Sequence, residues 1–411
     1  MGVSLLEVIV KSVENRKMFR DDLCRECGIC LSECVYLGLN QEQAVQAIQR
    51  LKSGEGDKGV LKNCISCFAC NAFCPNDAHP YELILSYWHR RYQEKGLPQR
   101  ALYLTPHAEP NFRTRIIPTM DDEDRYLIDA WRREDPKGKT ILYPGCNLLT
   151  LPYLARTELL SDLPVAGGFD LCCGEMYFRM GLFDKVREVA ARLTEYYKRH
   201  NPKRMVFICP ACYNMFTNIL PGQFGASFSF QTQLLTDYLL EKIDKGEIIL
   251  KNKLSLKVTV HDSCHARVMK NGLMESAREL LKRLGCTILE MKHNTATGYC
   301  CGVAAGCSSY SGWDMTRESL RAMREAKRSG ADILALYCSG CLVGLSVVGK
   351  IYPSALDNYH LLELVQMAIG EKPMHRHKRY SGQILKGIIR HAIPGYLSRK
   401  RIKLPVIDKL E

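Results

Sequence analysis

The sequence predicts an α/β protein with a mainly α N-terminal domain and two duplicated α/β domains that carry small parallel sheets. Three observations predict this fold. Short apolar runs that end at cysteines are typical of buried parallel strands, and the chain contains TILYPGC, RMVFICPAC, KVTVHDSC and DILALYCSGC. Helical stretches such as KVREVAARLTEYYKR alternate with these runs. Two Cys-Cys-Gly triplets also lie 128 residues apart and two Cys-x2-Cys pairs 129 residues apart, as a duplication would give.

Cysteines, prolines and charges divide the 411 residues into five parts. An amphipathic helix is predicted over residues 4–18, and a helix with a Gly-rich turn over residues 41–59. A cysteine-free stretch with five prolines is expected to pack across a domain boundary. The expected parts are 1–95 with two cysteine runs, the connector 96–138, the duplicated domains 139–250 and 251–370, and a basic tail, 371–411.

The composition excludes several classes of protein. Hydrophobic residues make up 46% and charged residues 25%, which excludes a fibrous or disordered chain. No apolar run reaches the roughly eighteen residues of a membrane span, and the start lacks a basic leader, so we expect a cytoplasmic protein. No nucleic-acid or nucleotide pattern is present, so neither nucleic acid nor flavin is expected to bind. Twenty cysteines in a chain of this length favour metal ligation over disulfides.

The positive charge is concentrated in the tail. Residues 371–411 hold eleven lysines and arginines against three acidic residues, within a formal net charge of +13 for the whole chain. One interpretation is a solvated basic terminus; the other is docking to an acidic partner or to the inner face of a membrane. Docking is favoured by apolar residues at near-helical spacing, which are Ile384, Leu385, Ile388, Ile389 and Ile393.

Eight cysteines form two runs with the spacing C-x2-C-x2-C-x3-C. They are Cys24, Cys27, Cys30, Cys34, Cys64, Cys67, Cys70 and Cys74. Zinc ribbons use paired C-x2-C motifs, so the triple spacing indicates iron–sulfur clusters. The runs resemble two-cluster bacterial ferredoxins, which implies two [4Fe-4S] cubanes with crossed ligands. By that resemblance one cubane takes Cys24, Cys27, Cys30 and Cys74, and the other takes Cys64, Cys67, Cys70 and Cys34. Pro75 follows Cys74 as in that family, whereas Val35 follows Cys34.

Ten further cysteines form a second pattern that occurs twice. They are Cys146, Cys172, Cys173, Cys209 and Cys212 in the first repeat, and Cys264, Cys300, Cys301, Cys338 and Cys341 in the second. Five thiolates exceed the four ligands of tetrahedral zinc, which favours a multi-iron site, with zinc at one repeat as the alternative. The glycine after each Cys-Cys pair is expected to allow the sharp bend that turns both thiols toward one metal assembly.

This layout resembles heterodisulfide reductases over residues 139–345 and, with the N-terminal runs, their catalytic iron–sulfur subunit. The resemblance implies that each five-cysteine set holds a noncubane [4Fe-4S] cluster and that the two clusters reduce a disulfide, such as the CoM–CoB heterodisulfide. Related quinone-linked subunits share the layout, so the alternative function is an electron relay between a dehydrogenase or flavoprotein and quinone or another redox complex. Either function implies an electron-donating partner: a flavoprotein, a hydrogenase-linked protein or a membrane cytochrome, which could hold the chain at the inner membrane face.

One histidine and two cysteines complete the candidate residues. His265, next to Cys264, is a candidate proton donor to a leaving thiolate. The alternative role for His265 is a hydrogen bond to cluster sulfur. Cys286 and Cys307 fall outside both patterns and are predicted to be buried thiols.

Overall fold

The computed structural model describes residues 18–109, 111–352 and 356–407, with the side chains of residues 391 and 392 left aside. The helix predicted over residues 4–18 therefore lies outside the described residues, apart from Met18. The strands are β1 (Leu97–Pro98), β2 (Thr140–Tyr143), β3 (Arg204–Phe207), β4 (Gln231–Leu234), β5 (Lys257–His261), β6 (Thr287–Ile288), β7 (Ile333–Leu336), β8 (Asp357–His360) and β9 (Arg401–Ile402).

The N-terminal part is helical. Its α-helices are Ile29–Ser32, Gln41–Ser53, Lys58–Asn63, Ala69–Phe73 and Pro80–Lys95. The second of these begins at Asn40, whose side chain accepts a hydrogen bond from the Gln43 N–H in a capping box, and ends at Gly54 in the left-handed conformation. The helix and Gly-rich turn predicted over residues 41–59 are therefore confirmed.

The connector contains two α-helices and two 3-10 turns. The 3-10 turns are Gln99–Leu104 and Ile117–Thr119, and the helices are Phe112–Ile116 and Asp122–Arg133. Asp124 is fully buried and forms an ion pair with Arg156, which lies beyond the first strand of the first repeat. The connector is thus joined to the repeat that follows it.

Each repeat contains one parallel sheet. The first sheet has the order β2-β3-β4, and Tyr143, Phe207 and Leu234 are aligned at the carboxyl ends of its strands. The second has the order β6-β5-β7-β8. In the first repeat, a single parallel bridge between Leu142 and Val165 lies beside β2, where the second repeat has β6 beside β5. The predicted α/β fold with small parallel sheets is confirmed.

Helices cover the sheets and connect the strands. In the first repeat the α-helices are Gly145–Leu148, Glu175–Arg179, Phe183–Arg199, Pro210–Asn214, Leu220–Phe224 and Leu235–Asp244. In the second they are Ala266–Met269, Leu273–Arg283, Val303–Ser309, Gly312–Arg328, Ser339–Gly349 and Leu361–Ile369. The first repeat also has a π-helical turn at Met215–Ile219 and 3-10 turns at Pro152–Ala155, Glu158–Leu160 and Phe169–Leu171, and the second has one 3-10 turn at Thr295–Thr297.

The basic tail folds back along the connector. It forms helices His377–Gly387 and Ile393–Leu397, joined by a π-helical turn at Ile388–Ala392. Arg379 donates to both carboxylate oxygens of Asp121, at 2.9 and 2.6 Å. Strand β9 then pairs antiparallel with β1. Among the described residues, no helix combines the length and the apolar character needed to cross a membrane.

Candidate metal centre

The cysteines of the two repeats lie just beyond the carboxyl ends of the strands. Cys209 lies two residues past β3 and precedes helix Pro210–Asn214, and Cys338 has the same place after β7. This is the edge at which open α/β sheets bind ligands. The predicted role of the glycines is also confirmed, because Gly174 and Gly302 have φ values of 76° and 91°.

The first five-cysteine set is brought together in the protein interior. Each of its thiols is at most 6% exposed. The Sγ atoms of Cys173 and Cys212 are 3.5 Å apart. Cys146 is hydrogen-bonded to Cys172, and a Cβ atom added to Gly145 would lie only 2.7 Å from the Cys212 Sγ. A glycine is therefore required where the chain passes the thiols.

The second set has the same arrangement. Cys264 is hydrogen-bonded to Cys300, and Cys301 is hydrogen-bonded to Cys300 and Cys341. All five thiols are buried. The members of each predicted set therefore lie together, and five sulfur donors around one buried site fit a multi-iron cluster better than they fit a four-coordinate zinc ion.

The two sets meet at one pair of thiols. The thiol of Cys209 in the first repeat lies close enough to that of Cys338 in the second for each to shift the pKa of the other, and its neighbours Cys212 and Cys338 lower the pKa of Cys209 well below its ordinary value. The two sites are thus neighbours across the interface between the repeats.

The N-terminal cysteines also form two groups. The thiols that act electrostatically on Cys30 are those of Cys74, Cys24 and Cys27. Those that act on Cys64 are Cys67 and Cys34. The fourth cysteine of each run therefore lies with the first three of the other run. Burial raises the pKa of Cys30 to about 12, so metal binding is needed to hold such thiols as thiolates.

One N-terminal group adjoins the second repeat. The Tyr36 hydroxyl, two residues past Cys34, accepts a hydrogen bond of 2.8 Å from the Cys300 N–H. Cys264 is close enough to Cys67 to raise its pKa. Phe68 packs on His265 with ring centroids 4.8 Å apart. The contacts therefore run from this N-terminal group to the second repeat and, through Cys338 and Cys209, on to the first repeat.

Three buried arginines surround the thiols, and none was identified from the sequence. Arg113 of the connector is hydrogen-bonded to Cys146, and it is 1% exposed. Arg179 donates to the Cys264 Sγ at 3.0 Å. Burial raises the pKa of Cys67, and the charge of Arg267 opposes that rise. Buried guanidinium groups stabilise the negative charge that thiolate-ligated clusters carry. No sequence motif marks these arginines, because each acts on cysteines from another part of the chain.

His265 is buried in a hydrogen-bond network at this junction. The Asn218 Nδ2 donates to the Asn214 Oδ1 at 2.8 Å, so the Asn214 Nδ2 faces the His265 Nδ1 at 3.1 Å and donates to it. The His265 Nε2 lies 2.8 Å from both the Glu175 Oε1 and the Arg179 Nη2. Both ring nitrogens are therefore engaged with other side chains, and among the described residues no hydrogen bond joins His265 to a cysteine sulfur.

His261 distinguishes the second site from the first. One of its ring nitrogens lies within 4.8 Å of the thiols of Cys301 and Cys341. Burial lowers the pKa of His261 to about 4, so the ring is neutral at neutral pH. The first repeat has Tyr143 at the same distance before its first cysteine, and the Tyr143 hydroxyl donates to the Leu171 carbonyl oxygen instead.

An apolar pocket lies between the connector, the second repeat and the tail. Most of its lining is apolar, and it includes Tyr103, Phe112, Met176, Val343 and Ile388. It reaches Asn147 and Gly340, the neighbours in sequence of Cys146 and Cys341. Cys286 and Cys307, predicted to be buried thiols, are 8% and 0% exposed.

Comparison with known families agrees with these observations. Residues 23–79 match a 4Fe-4S dicluster domain, and residues 141–217 and 258–346 each match a cysteine-rich (CCG) domain. The fold and the four cysteine groups therefore define an iron–sulfur oxidoreductase that joins a dicluster domain to two CCG domains.

Within that class the chain is homologous to heterodisulfide reductases. It is 23% identical over 366 residues to a subunit of the dihydromethanophenazine:CoB–CoM heterodisulfide reductase of Methanosarcina barkeri, covering 86% of this chain and 79% of that relative. The corresponding Methanosarcina acetivorans protein is 23% identical over 330 residues, which cover 76% of this chain and 79% of that relative. The chain is also 22% identical over 264 residues, or 60% of its length, to the EtfAB:quinone oxidoreductase of Syntrophomonas wolfei, and spans only 36% of that protein.

Proposed function

We propose that this chain is part of a redox complex in which electrons pass through two [4Fe-4S] cubanes to two noncubane [4Fe-4S] clusters and reduce a disulfide such as the CoM–CoB heterodisulfide. The N-terminal groups would hold the cubanes, and the two five-cysteine sets would hold the noncubane clusters. The observation that carries the proposal is the contact between Cys209 and Cys338, which joins the two complete sets.

Two adjoining sites suit the chemistry of a disulfide. Cleavage of one S–S bond consumes two electrons and two protons and releases two thiols, and each half leaves more readily as a stabilised thiolate. Buried cations lie beside both sets, because the Arg113 guanidinium contacts Cys146 and the Arg179 guanidinium donates a hydrogen bond to Cys264. These side chains favour negative sulfur at either site.

The cluster content is the first test. Iron, acid-labile sulfide and zinc should be measured per chain on anaerobically purified protein. About sixteen irons are expected, since four sites would hold about four irons each. About eight irons, with or without zinc, would leave only the N-terminal clusters and contradict the proposed noncubane sites.

Disulfide turnover is the second test. Cys301→Ala should abolish most disulfide reduction by the assembled complex, because it removes a thiol bonded to both Cys300 and Cys341. The matched control is Cys286→Ala, which removes a buried thiol outside both sets. Equal turnover in the two variants would show that the second set does not take part.

The apolar pocket favours a second candidate function, an electron relay to quinone. A pocket with a mainly apolar wall suits an uncharged ring better than an anionic disulfide. The reduced chain should be offered a short-chain menaquinone analogue and, separately, low-molecular-weight disulfides. A relay would reduce the quinone and would reduce none of the disulfides. In that case Val343→Phe, which narrows the pocket, should slow quinone reduction.

The tail is proposed to hold the complex at an anionic membrane surface. Ile389, Ile393 and Leu397 recur every four residues and are 56%, 48% and 84% exposed. Trp313 is 80% exposed and follows Gly312, whose N–H donates to the hydroxyl of Tyr396 in the tail. Exposed apolar residues among lysines and arginines are typical of surfaces that lie on anionic membranes.

A further inference from the structure

Three side chains outside the cysteine groups converge on one point at the edge of the second sheet. The Nε2 atoms of His375 and His377 are 3.2 Å apart. The two carboxylate oxygens of Asp357 lie 3.3 Å from the first of these atoms and 3.2 Å from the second. Asp357 begins β8, whereas both histidines belong to the basic tail, so the cluster connects two parts of the chain.

The spacing of the three ligand atoms fits zinc. Zinc bonds to imidazole nitrogen and carboxylate oxygen are about 2.0–2.1 Å, so the ligand atoms of a tetrahedral zinc ion are about 3.3 Å apart. Octahedral magnesium at similar bond lengths would bring them to about 3.0 Å and prefers oxygen ligands. The Nε2 atoms are 3.2 Å apart, and each lies 3.2–3.3 Å from the nearer of the two Asp357 oxygens, which is close to the tetrahedral spacing.

The hydrogen bonds around the cluster prepare both imidazoles as ligands. The His375 Nδ1 donates to Glu363 Oε1 at 3.0 Å, and Glu363 is fully buried. The His377 Nδ1 lies 2.7 Å from the Ser346 Oγ, which also accepts from the Asn358 Nδ2 at 3.2 Å. Each Nδ1 thus has an oxygen partner that can accept its proton, which leaves each Nε2 able to bind an ion beside Asp357. Such partners orient metal-bound histidines and raise their basicity.

The cluster is open enough for an ion to enter. The side chains of Asp357 and His375 are 31% and 20% exposed, so solvent reaches a fourth coordination position. Lys378 competes with a metal ion for this carboxylate, because its Nζ is 2.9 Å from Asp357 Oδ1. That side chain is 58% exposed and can leave for solvent when a metal ion binds.

From these contacts we propose that Asp357, His375 and His377 bind one zinc ion, which fastens the start of the basic tail to β8. The site is separate from the cysteine groups and does not depend on the proposed redox function. The sequence carries only a weak signal for it, a His-x-His pair whose carboxylate lies eighteen residues earlier.

The test measures zinc and iron in the full-length chain, purified anaerobically and equilibrated with zinc, and the zinc environment by X-ray absorption at the zinc edge. The wild-type chain should hold about one zinc ion per chain with a nitrogen and oxygen shell at about 2.0 Å. Asp357→Asn and His375→Gln should lose this zinc and keep their iron. Glu363→Gln, which keeps all three ligands, should weaken zinc affinity about 10- to 100-fold.

The matched control is His200→Gln. His200 also pairs with an aspartate, at 3.1 Å from Asp135, but no third ligand completes a site there among the described residues. This variant should keep its zinc. A wild-type chain that takes up no zinc would overturn the proposal. So would zinc with sulfur ligands at about 2.3 Å that persists in all variants, because that zinc would be bound by cysteines.

Discussion

The Arg179 guanidinium donates a hydrogen bond to the Cys264 Sγ at 3.0 Å, although 85 residues separate the two in the chain. Arg179 ends the helix that follows the first Cys-Cys-Gly triplet, and Cys264 is the first cysteine of the second set. The same side chain is paired with Glu175 and donates to the Ser66 carbonyl oxygen of the N-terminal domain. One buried cation thus joins all three cysteine-bearing regions at the second site.

Replacement of this cation should change the redox potential of the second site. In Arg179→Met the positive charge beside Cys264 is lost, so the reduced, more negative state becomes less stable. The midpoint potential should fall by about 60 mV, the one-electron equivalent of about 1.4 kcal/mol. Glu175 would lose its ion pair with Arg179 and keep its bond to His265, so the loss of stability should stay below the roughly 3–5 kcal/mol of a fully broken buried pair. The measurement is an EPR-monitored redox titration of protein with verified iron content.

Two further variants separate charge from packing at this position. Arg179→Lys keeps the charge and should retain most of the potential while losing the bond to Ser66. Arg132→Met removes an arginine that is 69% exposed and 3.1 Å from Asp170, and should leave the potential unchanged. A potential that is the same in wild type and Arg179→Met would refute the electrostatic role.

The bend after the second Cys-Cys pair should be intolerant of any side chain. A Cβ atom at Gly302 would lie 2.2 Å from the Ser319 Oγ and 2.3 Å from the Met315 carbonyl oxygen. In Gly302→Ala, the positive φ should lower the free energy of unfolding by about 1–2 kcal/mol, and the overlap should lower it by about another 1–3 kcal/mol. Gly302→Ala should therefore lower the thermal midpoint and the iron content of the second site.

Gly330 provides the control for this substitution. Its φ of 76° is also positive, but nothing lies within 4 Å of the added Cβ atom. Gly330→Ala should lose only the stability that the positive φ costs, about 1 kcal/mol, and should keep its iron. If both variants behaved alike, the contact with Ser319 and Met315 would not matter.

Local patterns account for what the sequence could predict. The four runs TILYPGC, RMVFICPAC, KVTVHDSC and DILALYCSGC become β2, β3, β5 and β7, because buried parallel strands need continuous apolar residues. The left-handed backbone at Gly174 and Gly302 was also predictable, since only glycine adopts it at little cost. Both features depend on neighbouring residues alone.

Contacts between distant residues account for what it could not predict. Arginines occur throughout the chain, and no sequence motif distinguishes Arg113 from the others. Only the packing of the folded chain brings Arg113 to Cys146. The tail carried a charge signal, but its ion pairs with Asp121 depend on the folded connector. The zinc cluster likewise needs β8 and the tail to meet, which no local pattern specifies.

Histidine burial should make the protein sensitive to mild acid. Burial, together with the charges of Arg192 and Arg113, lowers the pKa of His107 to about 3. An unfolded histidine has a pKa of about 6.5. As the pH falls below about 6.5, the unfolded chain binds a proton that the folded chain does not bind. This contribution to stability is therefore complete above that pH and is lost toward pH 3. The loss approaches about 1.4 kcal/mol per pH unit for each such group.

The variant His107→Asn should reduce this dependence, because it keeps a polar atom near the Tyr177 hydroxyl, which lies 3.2 Å from the His107 Nδ1, and has no titrating ring. The apparent unfolding midpoint should be followed between pH 7 and pH 5 under anaerobic conditions. His200→Asn, a change at a partly exposed histidine, should leave the slope as in wild type. A wild-type slope in His107→Asn would assign the acid sensitivity to other groups.

Membrane association should depend on the exposed apolar face of the tail rather than on its charge alone. Arg376 and Arg379 already pair with Asp121, so part of the basic charge is used within the fold. Leu397→Glu and Trp313→Glu place a carboxylate on the 84% and 80% exposed positions of this face, where an anionic surface repels it. Flotation with vesicles that contain anionic lipid should show strong binding of wild type and little binding of either variant.

Tyr126→Glu is the matched control, because Tyr126 is 68% exposed and lies on the connector helix Asp122–Arg133 rather than on the tail. It should bind vesicles as wild type does. Wild-type binding should also weaken as salt rises, since the Debye length shortens from about 10 Å at 0.1 M to about 3 Å at 1 M. The membrane role would be refuted if wild type did not bind anionic vesicles. If the tail variants then also failed to bind a purified donor complex, the face would be a protein contact.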